Sequence, residues 1–275
     1  MQGRLLENDR SPYAVHVLIG LLVLLALISA LAIRATQAAV LQSGNLRLTL
    51  LSQVQPHLLP RTEKAPIAVF VSGHVDTVKQ GVPPQLQGLT IRVNRHGEIN
   101  TAGLPICDLR QIQPSTTDRA VSACGPALVG SGQFWAHIVL PGQEPYPTHG
   151  RLLVFNGKKK GRPAILAHIY TANPFATSFV IPFVIDRLGN GGPYGMQLSA
   201  SLPRSLGEWG YVDRIKLTLR RKYRVDGRQK SYFNANCPAT PGTRSATFQL
   251  AQADFTFGGE SLTVGVPKSC GVKGK

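Results

Sequence analysis

From Pro66 onward, apolar residues recur at every second position in short runs, the pattern of strands with one buried and one wet face. Ile215-Lys216-Leu217-Thr218-Leu219-Arg220 alternates strictly, and Leu89, Ile91 and Val93 alternate with Thr90, Arg92 and Asn94. Ile67-Ala68-Val69-Phe70-Val71 is a further short run of β-formers. The same pattern predicts strands over 134–140, 152–155, 164–170, 178–185, 196–202, 211–220, 230–234, 247–257 and 261–266. Turn residues separate them. Asn94-Arg95-His96-Gly97, Gly157-Lys158-Lys159-Lys160-Gly161 and Gly189-Asn190-Gly191-Gly192-Pro193 read as turns, and Asp226-Gly227 and Gly258-Gly259 as hairpin tips. One short helix is predicted over 115–123, capped by Ser115 and stopped by Gly125-Pro126. Many short strands with Gly and Pro turns indicate a mainly β fold, sandwich- or barrel-like, rather than α/β.

Upstream the pattern differs. Residues 13–33 form a run with no Lys, Arg, Asp or Glu. A bilayer core is crossed by about 20 apolar helical residues, so this run reads as a transmembrane anchor or an uncleaved signal. Arg4 and Arg10 precede it, which places residues 1–12 as a cytoplasmic tail. Residues 34–64 read as a stalk, helical over 41–54 until Pro56, and residues 65–275 as a β-rich extracytoplasmic domain. The expected location is the cell membrane, single-pass, with the C-terminal domain outside. Ala30-x-Ala32 and Thr36-x-Ala38 offer the alternative of cleavage and secretion.

Charge changes the picture. The chain holds 30 Lys and Arg against 14 Asp and Glu. Residues 41–275 carry 27 basic and 12 acidic residues, a net of +15. Such a surface attracts polyanions. The partners that fit are an anionic wall polymer, lipid or another envelope protein, with nucleic acid the less favoured polyanion. Lys158, Lys159, Lys160 and Arg162 make the densest basic run; Arg220, Arg221, Lys222 and Arg224, with Tyr223 interleaved, make the second. Either run can meet phosphates.

Four cysteines, Cys107, Cys124, Cys237 and Cys270, with no Cys-x-x-Cys, read as two disulfides in an oxidising compartment. Three pairings are possible. Cys107 with Cys124 and Cys237 with Cys270 close the shortest loops, each worth about 3 kcal/mol.

Candidate chemistry is sparse. Val69-Phe70-Val71-Ser72-Gly73-His74-Val75-Asp76 resembles the first metal-binding strand of the two-zinc aminopeptidase and deacylase family. That resemblance implies a zinc-ligating His74 and a bridging Asp76. The acidic pair such enzymes also need has no counterpart after residue 65, so a strand-end turn is the reading adopted, with no metal or cofactor. His74, His96, His137, His149 and His168 show no metal-ligand spacing. Gly130-Ser131-Gly132 is no nucleophile elbow. A hydrolase of envelope material would need convergence of His137, His168, Glu144 and Asp76. A carrier of apolar ligands would need a cavity between sheets. The favoured class is a non-catalytic binding or structural module.

A wider likeness covers residues 65–275. Pro83-Pro84-Gln85-Leu86, Leu104-Pro105-x-Cys107, Leu140-Pro141-Gly142-Gln143-Glu144-Pro145-Tyr146-Pro147, Trp209-Gly210-Tyr211-Val212, Cys237-Pro238 and Ser269-Cys270-Gly271-Val272-Lys273 carry it. In these the chain resembles a group of uncharacterised exported bacterial proteins. The resemblance implies an exported, cysteine-stapled β-rich domain and brings no activity with it.

Overall fold

The computed structural model describes residues 37–79, 81–202 and 210–274. The expected tail (1–12) and apolar run (13–33) lie outside the described residues. Among the described residues, no helix is long and apolar enough to cross a membrane.

The protein is mainly β, as the period-two pattern demands. Ahead of residue 65 the sequence reading is corrected. The expected stalk, helical over 41–54, is instead a hairpin of β1 (Gln37–Ser43) and β2 (Leu46–Gln55). Leu46, Leu48, Leu50 and Val54 of β2 are buried at alternate positions. Leucine favours helix in isolation, but this spacing has period two, and burial against neighbouring strands overrides the local preference. The compact β unit therefore begins at Gln37.

The chain continues through β3 (Leu58–Leu59), β4 (Ala65–Pro66), β5 (Ala68–Thr77), β6 (Leu86–Asn94) and β7 (Gly97–Ile99). Two helices follow where one was expected. The first, α1 (Leu109–Ile112), is too short to show periodicity; a capping box between Asp108 and Gln111 holds it. The second, α2 (Thr117–Cys124), is capped by Thr116 rather than Ser115. Then come β8 (Leu128–Ile138), β9 (Tyr146–Lys159), β10 (Arg162–Thr171), β11 (Thr177–Arg187), β12 (Tyr194–Ser201) and β13 (Gly210–Leu219). The chain closes with β14 (Lys222–Val225), β15 (Arg228–Ser231), β16 (Phe233–Ala235), β17 (Ser245–Phe257) and β18 (Ser261–Val272).

Thirteen strands form one curled sheet in the order β1-β2-β5-β13-β8-β9-β10-β11-β12-β6-β17-β18-β3. Neighbours are antiparallel except β18 and β3. Only Pro56 and His57 separate β2, second in this order, from β3, which is last. The covalent chain thus draws the two ends of the sheet together. Across that seam the buried Lys268 of β18 donates from Nζ to the Val54 carbonyl of β2 at 2.7 Å. Burial holds this ammonium below the ordinary lysine value.

The core lies on both faces of β9. Residues 152–157 are all buried. Val154 packs with Val129, Ile165, Met196 and Leu198. Leu153 and Phe155 point the other way, and pack with Ile112 and Ala120 of the two helices. That is why this stretch reads as a continuous apolar run.

Antiparallel order fixes which strand termini share an end. β2, β6, β9, β11, β13 and β18 finish at one end, where β5, β8, β10, β12 and β17 start. The small sheet β4-β16-β7 and the hairpin β14–β15 leave from that same end. Both disulfides are formed as expected, Cys107–Cys124 and Cys237–Cys270. At the opposite end the described connections are turns and loops, among them Gly44-Asn45 and Gly258-Gly259.

Candidate functional site

The two basic runs are far apart in sequence, yet the sheet brings them to one end. Lys158, Lys159, Lys160 and Arg162 form the tip of the β9–β10 hairpin, where Lys160 and Gly161 adopt φ 50° and 79°. This left-handed pair matches the twist of the flanking strands. Arg220 follows Leu219, the last residue of β13; Leu219 pairs with Gly130 of β8, and Gly130 with Val154 of β9. One strand therefore separates the two runs laterally, roughly 10 Å.

Alternation decides what the second run presents. Lys222 and Arg224 are exposed, while Tyr223 and Val225 take the other face of β14. The Tyr223 hydroxyl donates to the Asn100 and Ala102 carbonyls at 3.2 and 3.0 Å, and burial raises its pKa. The interleaved aromatic is thus an anchor for the hairpin, not a stacking platform. The tip uses Asp226 and Gly227 at φ 51° and 73°, as their sequence predicted.

Few of these cations are neutralised. Arg162 pairs with Asp186, and Arg221 donates to the Pro126 carbonyl at 3.2 Å. Lys158, Lys159, Lys160, Arg220, Lys222 and Arg224 make no ion pair among the described residues. Lys159 is half-buried and the other five are exposed. Arg61 and Arg95 lie at the same end but are committed to main-chain carbonyls of Thr240, Thr243 and Gly189. An open recess of about 340 Å³ sits beside Arg95, lined by His96, Pro238, Thr247 and Phe248. At the opposite end Arg47 grips Asp76 through two hydrogen bonds at 2.8 and 2.6 Å.

The catalytic suspects do not converge. Gly73-His74-Val75-Asp76 is not a strand-end turn but lies inside β5. His74 and Asp76 share one face of that strand, since they are two residues apart. Hydrogen bonding from Arg47 keeps the Asp76 carboxyl below its usual range. His74 Nδ1 meets the Asp213 carbonyl at 3.0 Å. His137 stands on β8, with Asp213 at 3.9 Å and Tyr211 stacked at 5.0 Å. Glu144 lies in the β8–β9 connection. His168 is fully buried on β10, where its Nε2 donates to the Ser115 carbonyl at 3.0 Å and ties down the segment before α2. Among the described residues, no group of three or more His, Cys, Asp or Glu is placed to hold a metal ion.

Sequence reading missed the approach of His74, Asp213 and His137. It depends on a register shift at Asp213, where β13 bulges against β8, and nothing in the local sequence marks that bulge. It also missed Arg214 and Lys216 over the Trp135 ring, at 5.8 and 5.6 Å. Their alternate spacing placed them on one face, but the partner strand was not legible.

Burial holds the His168 imidazole below the ordinary value near 6.5, partly opposed by the hydrogen bond to Ser115. The unfolded imidazole takes a proton near pH 6.5, and the folded one only at lower pH. Stability from this group is therefore intact above pH 6.5 and is lost on acidification toward the folded value. Denaturant melts between pH 7 and 5 are expected to show a steeper loss for the native protein than for His168→Gln. Identical slopes would remove His168 from this role.

No protein-family model, curated protein or solved structure matches the chain.

Proposed function

We propose that this chain is a membrane-anchored, non-catalytic binding module that presents the basic end of a barrel-like β domain to a polyanion outside the cell membrane. Residues 13–33 are the anchor, and the compact unit that follows is the extracytoplasmic domain. The seam bridged by Lys268 supports the barrel-like reading. Two disulfides agree with an oxidising compartment, as does the likeness to exported bacterial proteins. The observation that carries the proposal is the convergence of two distant basic runs whose cations are mostly unpaired, at an end where β14–β15 and the β9–β10 hairpin project them.

Polyphosphate serves as the probe for the full chain in neutral detergent. Reversing Lys158, Lys159 and Lys160 to Glu is expected to weaken binding roughly tenfold or more, because the local potential changes sign. Lys79→Glu with Arg151→Glu, exposed residues toward the opposite end of the sheet, is expected to leave binding nearly unchanged. Equal losses in both variants would reduce the interaction to net charge and remove the basic end as a site.

A further inference from the structure

Charge identifies an anion but not what carries it; the open recess at the basic end narrows it. The recess, of about 340 Å³, lies where β6 ends and where β12 and β17 begin. In the sheet order β10-β11-β12-β6 it stands three strand spacings from the β9–β10 hairpin, roughly 14 Å. Exposed Arg187 closes β11 between the two, and exposed Arg244 immediately precedes β17. Neither makes an ion pair among the described residues. Cations therefore continue from the Lys158–Lys160 tip to the recess.

The walls of the recess offer three kinds of contact. Pro193, Pro238 and Phe248 are apolar. Arg95 is held by the Gly189 carbonyl at 2.8 Å, by Asn190 Oδ1 at 3.3 Å and by the Gly192 carbonyl. A guanidinium has five N–H donors, so two remain on a side chain already fixed in place. His96 supplies an acceptor. Asn236 Nδ2 donates to the Arg61 carbonyl at 2.6 Å, which leaves Asn236 Oδ1 facing His96 Nδ1 at 3.2 Å. Nδ1 thus carries the hydrogen of the neutral ring, and Nε2 presents a lone pair. Nε2 has no hydrogen-bond partner among the described residues, and the ring meets Phe248 edge to face at 5.7 Å.

Ionised polyphosphate consists of acceptor oxygens. It has no hydrogen to give to Nε2 and no apolar face for the prolines and Phe248. A sugar ring has both: hydroxyls that donate, and C–H faces that pack on apolar walls. An acceptor left without a donor in a ligand site selects for ligands that bring one. The volume is at the small end of ligand sites, suited to one ring rather than a run of them.

We infer that the polyanion is an anionic glycan, with one sugar ring seated in the recess against His96 and Phe248 and the charged groups of neighbouring units on the cations of the basic end. The inference rests on the reading of the basic end proposed above.

The test measures binding of the full chain, in a polyoxyethylene detergent that carries no sugar, to phosphorylated dextran and to polyphosphate of matched charge. The native chain is expected to prefer phosphorylated dextran by roughly fivefold or more, the worth of one net hydrogen bond with its packing. Thr247→Trp, which fills the recess, and His96→Phe, which keeps the ring and removes the acceptor, should each abolish the preference and retain polyphosphate binding. A variant that loses both ligands has lost its fold, and the other variant then decides. Equal affinity of the native chain for the two polymers overturns the inference and leaves the proposed function standing, as does a preference that survives both variants. Binding of neither polymer overturns the proposed function and the inference together.

Discussion

Replacing Cys237 and Cys270 together by Ala is expected to cost about 3 to 4 kcal/mol, from the entropy of a loop of this length. The cysteines are 33 residues apart. Both side chains are fully buried, and they pack with Leu59, Tyr232 and Ala239. The bridge joins the segment after β16 to β18, next to the place where β3 completes the sheet order. Losing it frees the denatured chain and leaves a small void at the seam. For a domain of this size, the melting temperature should fall by roughly 10 °C. The Cys107–Cys124 bridge closes 17 residues and is worth about 3 kcal/mol by the same argument. Thermal melts of the two double variants give the comparison. Unchanged melting without Cys237 and Cys270 would show that the seam does not depend on this bridge.

Gly132→Ala is expected to destabilise by about 3 kcal/mol, the upper part of the overpacking range. A Cβ there would stand 1.9 Å from the Lys216 carbonyl oxygen and 2.9 Å from the Leu217 Cα. Both are backbone atoms of β13, so no side-chain rotation relieves the clash, and β8 and β13 must separate. Gly189→Ala meets nothing within 4 Å and serves as the comparison; it should change stability by less than about 0.5 kcal/mol. Chemical denaturation of both variants measures the difference. Equal stability would mean that β8 and β13 are not held at this distance in solution.

These two sites show what was legible in the sequence and what was not. Strand positions came through well. The alternation at Ile215-Lys216-Leu217-Thr218-Leu219 and the hairpin tip Asp226-Gly227 are local, so their structure follows from local rules. The cysteine pairing followed from loop length. The hairpin at 37–55 was missed because its leucines fit a helix as readily as a strand until a partner strand is known. Gly130-Ser131-Gly132 was read only as no nucleophile elbow. Its reason, close approach by β13, belongs to a strand that begins 78 residues beyond Gly132. The basic runs were visible as composition, but their convergence depends on β8 lying between β9 and β13. No window of sequence contains that order. Conversely, Gly73-His74-Val75-Asp76 stood out locally, and the structure supplies Arg47 and a main-chain carbonyl as the neighbours of its polar atoms.

The central claim is that six cations at one end of the curled sheet, in no ion pair among the described residues, bind an anion electrostatically. The most direct measurement is the affinity of the full chain, in neutral detergent, for polyphosphate across a range of salt concentrations. The logarithm of affinity is predicted to fall linearly and steeply with the logarithm of salt, as bound cations are released from the polyanion. The slope should be shallower in the Lys158→Glu, Lys159→Glu, Lys160→Glu variant. Affinity that does not respond to salt would contradict the account.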